Sequence, residues 1–344
     1  MTQPQITHLP SCEQPHATVL PPLQVSYVPG ASAHALDTLL AQTDVLAVIG
    51  FGADAPATHA DPRYLHVGLQ PVDAPAPFEV WRGAGTVTTQ RAGALRWAGD
   101  GDYTFGAIEL DEAGHGDIEG AAQLAYRSLV EWLASSRTPH LLRIWNYLDA
   151  INLGDGDDER YRRFCSGRVA GMDGGFGDGY PAATGVGVRD GRRVLQVYWL
   201  AARRAGEALE NPRQVSAWRY PRRYGPHAPG FARAMRAPTH SAQVYISGTA
   251  AIVGHASHHG EDFAAQLDET LTNIDSLLTA AQVEPCAPFG ARCLFKAYLR
   301  RDVDLTAARA LLQARLPADT ALLLLRGDIC RRELLVEIDG VQGV

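Results

Sequence analysis

The C-terminal stretch GDICRRELLVEIDG, residues 327–340, places an acid inside a strand-like run. In LLVEIDG, the two-residue period of a strand puts Leu335, Glu337 and Asp339 on one face. The opposite face then carries Leu334, Val336 and Ile338. A glutamate in this position is either a solvent-facing residue of an edge strand or a carboxyl group in a cleft. In a cleft, burial raises the pKa of a carboxyl group, which can then donate a proton near neutral pH. The sequence leaves both interpretations open.

Two segments rich in arginine and tyrosine could bind a small dianion. The first is RIWNYLDAINLGDGDDERYRRFCSGR, which includes Arg162 and Arg168. The second is NPRQVSAWRYPRRYGP, which includes Arg219, Tyr220 and Tyr224. A planar guanidinium group binds a carboxylate through two parallel hydrogen bonds, and tyrosine hydroxyls add neutral donors. Each arginine taken singly is explained as well by pairing with the acids of GDGDDE. A pocket that draws on both segments would bind a substrate with two negative charges.

Other patterns that could carry chemistry have simpler explanations. In GHASHHGED, His255, His258 and His259 could bind a metal, but no second ligand cluster stands at a matching spacing. The glycine-rich stretch 171–187 lacks the GK[ST] ending of a phosphate-binding loop. Lys296 is the only lysine, so Schiff-base chemistry would be confined to one position. We therefore predict neither a metal nor a cofactor.

The elements that would position these residues are helices and strands in a repeated order. Helices are predicted at residues 117–136 and 263–282, the second capped by Asp262. Both contain AAQL, and each is followed by a short linker and a strand-like run. This order indicates an internal duplication with an offset of about 145 residues. Because strand candidates are numerous and few helices separate the early ones, we predict an α+β fold with mixed sheets backed by helices.

The bulk composition is that of an ordinary globular protein. The chain has 344 residues, 46% of them hydrophobic, and a net charge of −7, which argues against a general nucleic-acid partner. No apolar run approaches the ~20 residues that cross a bilayer, so no membrane partner is predicted. The first residues lack the pattern of a secretory signal, which predicts a cytoplasmic protein. The five cysteines are widely spaced, and their number is odd, so no disulfide framework is predicted.

Five motifs in a fixed order resemble the chorismatase family. They are RIWNYLDAIN, ERYRRFCSGR, ENPRQVSAWRYPRRYGP, YISGTAAIVGHASHHGED and GDICRRELLVEIDG. The resemblance covers the chain from about residue 22, and it implies two RidA/YjgF-like (chorismate mutase-like) halves. The expected organisation is a disordered arm at 1–22, an N-terminal RidA-like domain at 23–170 and a C-terminal domain at 171–344 that carries the catalytic glutamate.

The resemblance also implies a reaction. Chorismate would be the substrate, and Glu337 would protonate its enolpyruvyl group to release pyruvate and 3-hydroxybenzoate, with some 4-hydroxybenzoate, through an arene oxide. Cys330 stands seven residues before Glu337, where benzoate-forming members of the family carry a cysteine. Its simpler interpretation is a small buried hydrophobic residue. Among family members the sequence is most similar to the hydroxybenzoate-forming enzymes of xanthomonad type, which feed pigment and quinone (ubiquinone) pathways.

Substrate-binding residues follow from the same resemblance. They are Tyr161, Arg162, Arg168, Arg219, Tyr220, Tyr224, Gly248 and Thr249. No cofactor is implied, since acid catalysis, carboxylate anchoring and exclusion of water would suffice. The two halves could mimic part of a trimer within one chain, so both a monomer and a trimer are compatible with the sequence.

Three other functions compete with this interpretation. A hydrolase of the same family would form a dihydroxycyclohexadiene carboxylate, and Cys330 argues against it. An imine deaminase of RidA type would use Arg331 or Arg332, but the additional half-chain would have no explanation. A regulator that binds a metabolite would need the arginine pocket but not Glu337.

Overall fold

The computed structural model describes residues 19–30, 32–73, 76–174, 176, 179–241, 243–282, 289–300 and 303–344. Most of the N-terminal arm expected at residues 1–22 therefore lies outside the described residues. Leu20, near its end, is buried, and its N–H donates to the carbonyl of Pro238 at 2.9 Å. The expectation of disorder is wrong at this point, because an apolar side chain packs into the core and its backbone is paired.

The described chain forms five α-helices and twenty strands. The helices are α1 (Ala33–Leu40), α2 (Ile118–Ser135), α3 (Arg160–Met172), α4 (Phe263–Ala280) and α5 (Leu305–Arg315). The strands are β1 (Gln24–Val28), β2 (Val45–Phe51), β3 (Tyr64–Val67), β4 (Gln70–Pro71), β5 (Phe78–Arg82), β6 (Thr88–Ala92), β7 (Leu95–Gly99), β8 (Tyr103–Asp111), β9 (His140–Asp149), β10 (Ala182–Val188), β11 (Val194–Ala202), β12 (Glu207–Leu209), β13 (Ala234–Arg236), β14 (Val244–Thr249), β15 (Ile252–Val253), β16 (Ala256–Ser257), β17 (Cys293–Leu299), β18 (Ala321–Arg326), β19 (Asp328–Ile329) and β20 (Val336–Gln342). Short 3-10 turns lie at Glu112–His115, Gly156–Asp158, Ala217–Arg219 and Arg222–Tyr224.

The two predicted helices are present, and the predicted cap at Asp262 is confirmed. The Asp117 side chain accepts from the N–H groups of Glu119 and Gly120 and starts α2. The Asp262 side chain accepts from the N–H of Ala265 and starts α4. Each cap satisfies backbone donors that have no partner inside the helix, which fixes where the helix begins. Within the described ranges, no helix is long and apolar enough to cross a membrane.

Two seven-stranded sheets repeat one topology. In the first, β8 leads through α2 to β9, through α3 to β10, and then to β11. In the second, β14 leads through α4 to β17, through α5 to β18, and then to β20. In each repeat the last of these strands lies antiparallel between the first two, and the third lies parallel to the second. The predicted internal duplication and the α+β class with mixed sheets are therefore confirmed.

The boundary expected between residues 170 and 171 falls inside the first repeat. β10 and β11 follow that boundary in the chain, yet they pair with β9 and β8. β10 is parallel to β9, and a parallel pair needs a crossover connection, which here contains α3. Sheet membership favours a boundary after Ala202, and the division into domains remains a proposal. The repeats also interlock, because β4 pairs with β18 and β19 pairs with β10.

Helices cover the outer face of each sheet, and the inner faces pack against each other. Apolar residues of α2 and α3 pack on the first sheet, and those of α4 and α5 pack on the second. The layer between the sheets is rich in aromatic residues from both repeats, namely Trp145, Tyr147, Tyr198, Tyr245 and Tyr298. This layer is where side chains of the two repeats meet, and it leads to a cavity at one end.

Candidate active site

A cavity of about 420 Å³ opens at the contact between the repeats. This volume is within the range of small-molecule sites, about 300–1,000 Å³. Its walls come from the start of α3, the loop that contains residues 214–233, β14 and the segment before β20. The charged residues that line it are Asp155, Glu159, Arg162, Arg223, Arg233, Arg331, Arg332, Glu333 and Glu337. Both arginine-rich segments contribute to the walls, as the pocket interpretation predicts.

Glu337 lies in an interior strand and reaches into this cavity. β20 pairs with β14 on one side and with β17 on the other, so the edge-strand interpretation is wrong. Only 4% of Glu337 is exposed. Burial first, and then the Asp339 carboxylate, raise the pKa of Glu337 to about 8, although the Arg143 guanidinium opposes this shift. The carboxyl group is therefore mostly protonated at neutral pH.

The proton of Glu337 is not engaged by a neighbour. Among the described residues, none forms a hydrogen bond with its carboxyl group, which faces the cavity. A buried acid that keeps its proton and leaves it unpaired is suited to general acid catalysis. The same carboxyl group also borders a smaller chamber of about 40 Å³, which Asn146, Arg168 and Thr184 help to line. That chamber has room for a bound water, since about 10–15 Å³ suffices.

The predicted alternation holds only where the strand is regular. Glu337 and Asp339 share the face toward the first repeat, and Val336 lies on the opposite face beneath α4. The regular strand begins at Val336, so the period does not extend to the two leucines before it. Leu334 packs beside Cys330, whereas Leu335 packs with Val336. The prediction that Leu335 shares the face of Glu337 is therefore wrong.

Cys330 lines both the main cavity and the smaller chamber, together with Glu337. Burial, with a contribution from the charge of Glu337, raises the pKa of the Cys330 thiol well above its usual range. The thiol is therefore neutral, and it is neither a nucleophile nor a base at physiological pH. Tyr161 also borders both spaces, and burial likewise raises the pKa of its hydroxyl.

The predicted binding residues on α3 divide between the two spaces. Arg162 lines the main cavity, and it forms ion pairs with Glu159 at 3.4 Å and Asp157 at 3.7 Å. Arg168 lines the smaller chamber and donates to the carbonyl of Gly230 at 2.5 Å. The Nε of Arg168 is buried and has no hydrogen-bond partner among the described residues. A buried donor of this kind is costly unless something binds to it.

The second segment places its tyrosines, but not Arg219, on the cavity. Tyr220 and Tyr224 line it, with ring centroids 5.4 Å apart. The Arg331 guanidinium lies 4.0 Å above the Tyr224 ring and donates to the carbonyl of His255 at 2.9 Å. Arg219 is exposed and is not among the described residues that line the cavity. Its place there remains a prediction that this geometry does not support.

Gly248 borders the carboxyl group of Glu337, whereas Thr249 does not reach the cavity. Gly248 lines both spaces. Thr249 is buried, and its hydroxyl donates to the carbonyl of Ser247 at 2.9 Å. Thr249 therefore supports β14 and does not contact a ligand in this geometry.

We predict that Gly248→Ala impairs catalysis more than stability. The added methyl group would overlap with Oε1 of Glu337, so the carboxyl group must move. A displacement of about 1 Å at a reacting group costs roughly 10²-fold in rate. Steady-state kinetics should show that loss in kcat, with little change in the melting temperature. The matched control is Gly114→Ala, because Gly114 is exposed and its added methyl group would meet no atom within 4 Å. Equal losses in both variants would contradict the prediction.

Arg233 is a cavity residue that the sequence did not reveal. Its guanidinium donates to the Tyr220 hydroxyl at 2.8 Å and to the carbonyl of Val215 at 2.8 Å. Within the part of the chain that the structure describes, its buried Nε has no hydrogen-bond partner, like that of Arg168. Arg331 also lines the cavity, although the sequence indicated it only as the arginine of an imine deaminase. An arginine within the apolar run GFARAM is the signal that could have indicated Arg233, since buried arginines are rare unless paired.

The other candidate residues do not join the cavity as metal or cofactor ligands. Lys296 is buried and forms an ion pair with Glu79 at 2.8 Å. The Nε2 of His259 lies 2.9 Å from a carboxylate oxygen of Glu269, and His255 contacts Arg223. Within the described ranges, no group of three or more histidine, cysteine or acidic side chains could hold a metal ion.

Comparisons with known proteins agree on one family. Residues 79–201 match a family model described as "Chorismatase FkbO/Hyg5-like, N-terminal". A 3-hydroxybenzoate synthase of Streptomyces hygroscopicus is 34% identical over 315 residues, which cover 87% of this chain and 91% of that protein. A chorismatase of Streptomyces rapamycinicus is 35% identical over 279 residues, which cover 76% of this chain and 81% of that protein.

The three-dimensional comparison extends over nearly the whole chain. The crystal structure of a chorismatase matches with a TM-score of 0.83 and 31% sequence identity, and it covers 94% of this chain and 99% of that one. A duplicated α+β fold with a protonated acid in an arginine-lined cavity defines an enzyme that acts on a small anion. The chain belongs to the chorismatase family.

Proposed function

We propose that this protein cleaves chorismate to pyruvate and 3-hydroxybenzoate, with 4-hydroxybenzoate as a further product. The observation that carries the proposal is the buried, protonated Glu337 in a cavity lined by five arginines. The relatives named chorismatase and 3-hydroxybenzoate synthase support the same reaction. The chemistry divides into binding of the dianion, protonation of the enol ether and departure of pyruvate.

Binding relies on the arginines that the cavity brings together. Chorismate carries two carboxylates, and guanidinium groups match carboxylates in shape and charge. Arg331 is held by the Tyr224 ring and two hydrogen bonds, and Arg233 is held by Tyr220 and Val215. Because these side chains are fixed before the substrate arrives, binding costs little conformational entropy. They are the strongest candidates for the carboxylate contacts, with Arg162 and Arg168 beside them.

Glu337 then protonates the methylene carbon of the enolpyruvyl group. The electron pair of the C=C bond takes the proton, and the ether becomes an oxocarbenium ion. The C4 hydroxyl oxygen attacks C3, the C3–O ether bond breaks, and pyruvate leaves with the ether oxygen as its keto group. The hydroxyl proton returns to the Glu337 carboxylate, which restores the acid. The 3,4-arene oxide opens at C4–O to give 3-hydroxybenzoate or at C3–O to give 4-hydroxybenzoate, so the overall reaction consumes no water.

In this reaction, Cys330 disfavours the binding of water beside Glu337. Its thiol is neutral and lies beside Glu337 on the cavity wall. A neutral thiol behaves as a small hydrophobic group, so it leaves water few hydrogen bonds at this point. We therefore assign Cys330 to the choice between the C4 hydroxyl and water as the nucleophile.

The test of the proposal is incubation of the purified protein with chorismate alone, with products separated by chromatography. The expected result is pyruvate and hydroxybenzoates in equal amounts. Chorismate with ¹⁸O in its C4 hydroxyl then tests the arene oxide, because both hydroxybenzoates should keep the label. Unlabelled 3-hydroxybenzoate would exclude that route, and no pyruvate at all would exclude the chorismatase activity.

We predict that kcat/KM for chorismate falls as the pH rises through about 8, the pKa of Glu337. The protonated carboxyl group is the active form, so activity is full below this pKa and is lost tenfold per pH unit above it. The measurement is a profile of kcat/KM against pH with pyruvate as the readout. Activity that rises through the same pH range would indicate that Glu337 acts as a base instead.

Three rival functions make different predictions. A diene-forming hydrolase would release pyruvate with a dihydroxycyclohexadiene carboxylate and no aromatic acid. An imine deaminase would use Arg331 or Arg332 to hold an imine substrate, and it would leave chorismate intact. A regulator would bind chorismate without turnover.

Location and assembly belong to the same proposal. Among the described residues, Cys165 and Cys330 form no disulfide, which fits a reducing compartment and supports the cytoplasm. We keep both a monomer and a trimer as candidate assemblies. Light scattering on the purified protein would separate these two assemblies.

A further inference from the structure

Two carboxylates on β20 face the first repeat, and they have opposite surroundings. Glu337 and Asp339 are two residues apart and are 4% and 1% exposed. Glu337 has no hydrogen bond from the described residues. Asp339 accepts from Arg143 at 3.0 Å, from the Thr184 hydroxyl at 2.8 Å and from the Tyr298 hydroxyl at 3.0 Å. One strand thus carries an acid that keeps its proton beside a carboxylate that is ionised and paired.

The Arg143 guanidinium is held toward Asp339. It donates to Oδ2 of Asp339, to the Thr184 hydroxyl and to the carbonyl of Ile144, and it stacks 4.7 Å above the Trp145 ring. Arg143 is 1% exposed, so it needs a counter-ion inside the protein. No hydrogen bond joins it to Glu337 in the described structure.

The charges of this buried cluster balance without Glu337. Lys296 is the second cation, and it pairs with Glu79 at 2.8 Å and lies 3.7 Å from Asp339. The two cations, Arg143 and Lys296, thus match the two anions, Glu79 and Asp339. Ionisation of Glu337 would add a third anion beside Arg143 and Lys296, which are already paired, and a low-dielectric interior disfavours this addition.

We propose that Asp339 is a positioning residue for catalysis, because it is the counter-ion that holds the Arg143 guanidinium away from Glu337 and so leaves Glu337 protonated. If Asp339 were uncharged, Arg143 would lose the carboxylate with which it pairs, and Glu337, whose charge also acts on Arg143, is the other carboxyl group on this face of β20. Pairing with Arg143 would then ionise the acid and remove the proton that the reaction needs. This inference rests on the proposed function only for its effect on turnover.

The ionisable groups that face Glu337 come from several elements. They are Arg143 from β9, Tyr161 and Arg168 from α3, Lys296 and Tyr298 from β17, Cys330 from the segment before β20, and Asp339 from β20 itself. Around the main cavity they are joined by Asp155, Glu159, Arg162, Arg223, Arg233, Arg331, Arg332 and Glu333. Burial keeps the pKa values of the two tyrosine hydroxyls and the thiol above their ordinary ranges, so these three groups stay neutral. The Coulombic influence on Glu337 comes from Asp339, which raises its pKa, and from Arg143, which lowers it.

The test is a titration of the Glu337 carboxyl carbon by NMR in protein labelled with ¹³C-glutamate, with Glu337→Gln to identify its signal. Asp339→Asn should lower the pKa of Glu337 by at least about one unit. Arg143→Gln should raise it, because the opposing cation is lost. The double variant Arg143→Gln/Asp339→Asn should return within about half a unit of the unmodified protein. In each variant, the pH at which kcat/KM falls should shift in the same direction as the pKa of Glu337.

Glu112→Gln is the control for the titration of Glu337. Glu112→Gln removes another carboxylate that is 4% exposed and paired with an arginine, here Arg160 at 2.6 Å. This control should lower stability and leave the titration of Glu337 unchanged. An unchanged pKa in Asp339→Asn, or an equal shift in Glu112→Gln, would overturn the inference. If Asp339→Asn does not fold, the inference is tested by Arg143→Gln alone. An unchanged or lower pKa of Glu337 in Arg143→Gln would then overturn it. Because the NMR titration needs no substrate, failure to turn over chorismate would overturn the proposed function alone.

Discussion

Replacement of Glu337 by glutamine is expected to lower kcat for chorismate by about 10³-fold, within the range that general acids contribute. The amide has nearly the shape of the protonated carboxyl group but cannot transfer a proton to the enol methylene carbon. The arginines that line the cavity are unchanged, so the variant should still bind chorismate. Coupled detection of pyruvate measures turnover, and calorimetric titration measures binding.

Glu112→Gln is the matched control, since Glu112 and Glu337 are each 4% exposed. Glu112 pairs with Arg160 and is not among the described residues that line the cavity. Its replacement should leave kcat within about threefold, because additivity holds for distant sites. Turnover by Glu337→Gln close to that of the unmodified protein would assign the proton donor to another group. Loss of binding as well as turnover would indicate a structural role.

Replacement of Cys330 by alanine is expected to change the product. Pyruvate should still form at a rate within about tenfold, because the acid is retained. Removal of the sulfur leaves space beside Glu337, and a water in that space could attack in place of the C4 hydroxyl. Chromatography should then show a dihydroxycyclohexadiene carboxylate at the expense of the hydroxybenzoates.

Cys165→Ala controls for the loss of a buried thiol nearby. Cys165 lies on α3, is 3% exposed and is not among the residues that line either space. This variant should keep the product ratio of the unmodified protein. If Cys330→Ala also keeps it, the thiol does not set the choice between the C4 hydroxyl and water, and that choice depends on other groups.

Local patterns in the sequence predicted the parts of the fold that depend on local physics. The Asp262 cap, the two long helices and the repeated order of elements are set by neighbours a few residues away. The strand that carries Glu337 was predicted for the same reason. Its position between β14 and β17 was not predicted, because strands that pair can be far apart in the chain.

The electrostatic environment of the acid could not be predicted from the sequence. Arg143 and Asp339 are 196 positions apart, and they meet only because the inner faces of the two repeats pack together. Arg233 is buried beside Tyr220 for the same kind of reason. Arg219, in contrast, lies in an arginine-rich motif and is exposed, since motif membership does not fix the direction of a side chain. The resemblance to a family supplied the role of Glu337, and the fold supplied its surroundings.

In the proposed reaction, Glu337 delivers its proton to the enol methylene carbon of chorismate. The most direct test is a crystal structure of the Glu337→Gln variant with chorismate bound. We expect the methylene carbon to lie within about 3.5 Å of the glutamine side chain. The C4 hydroxyl should lie beside Cys330, and the carboxylates should contact the cavity arginines. A bound chorismate whose methylene group points away from position 337, toward a different proton donor, would contradict it.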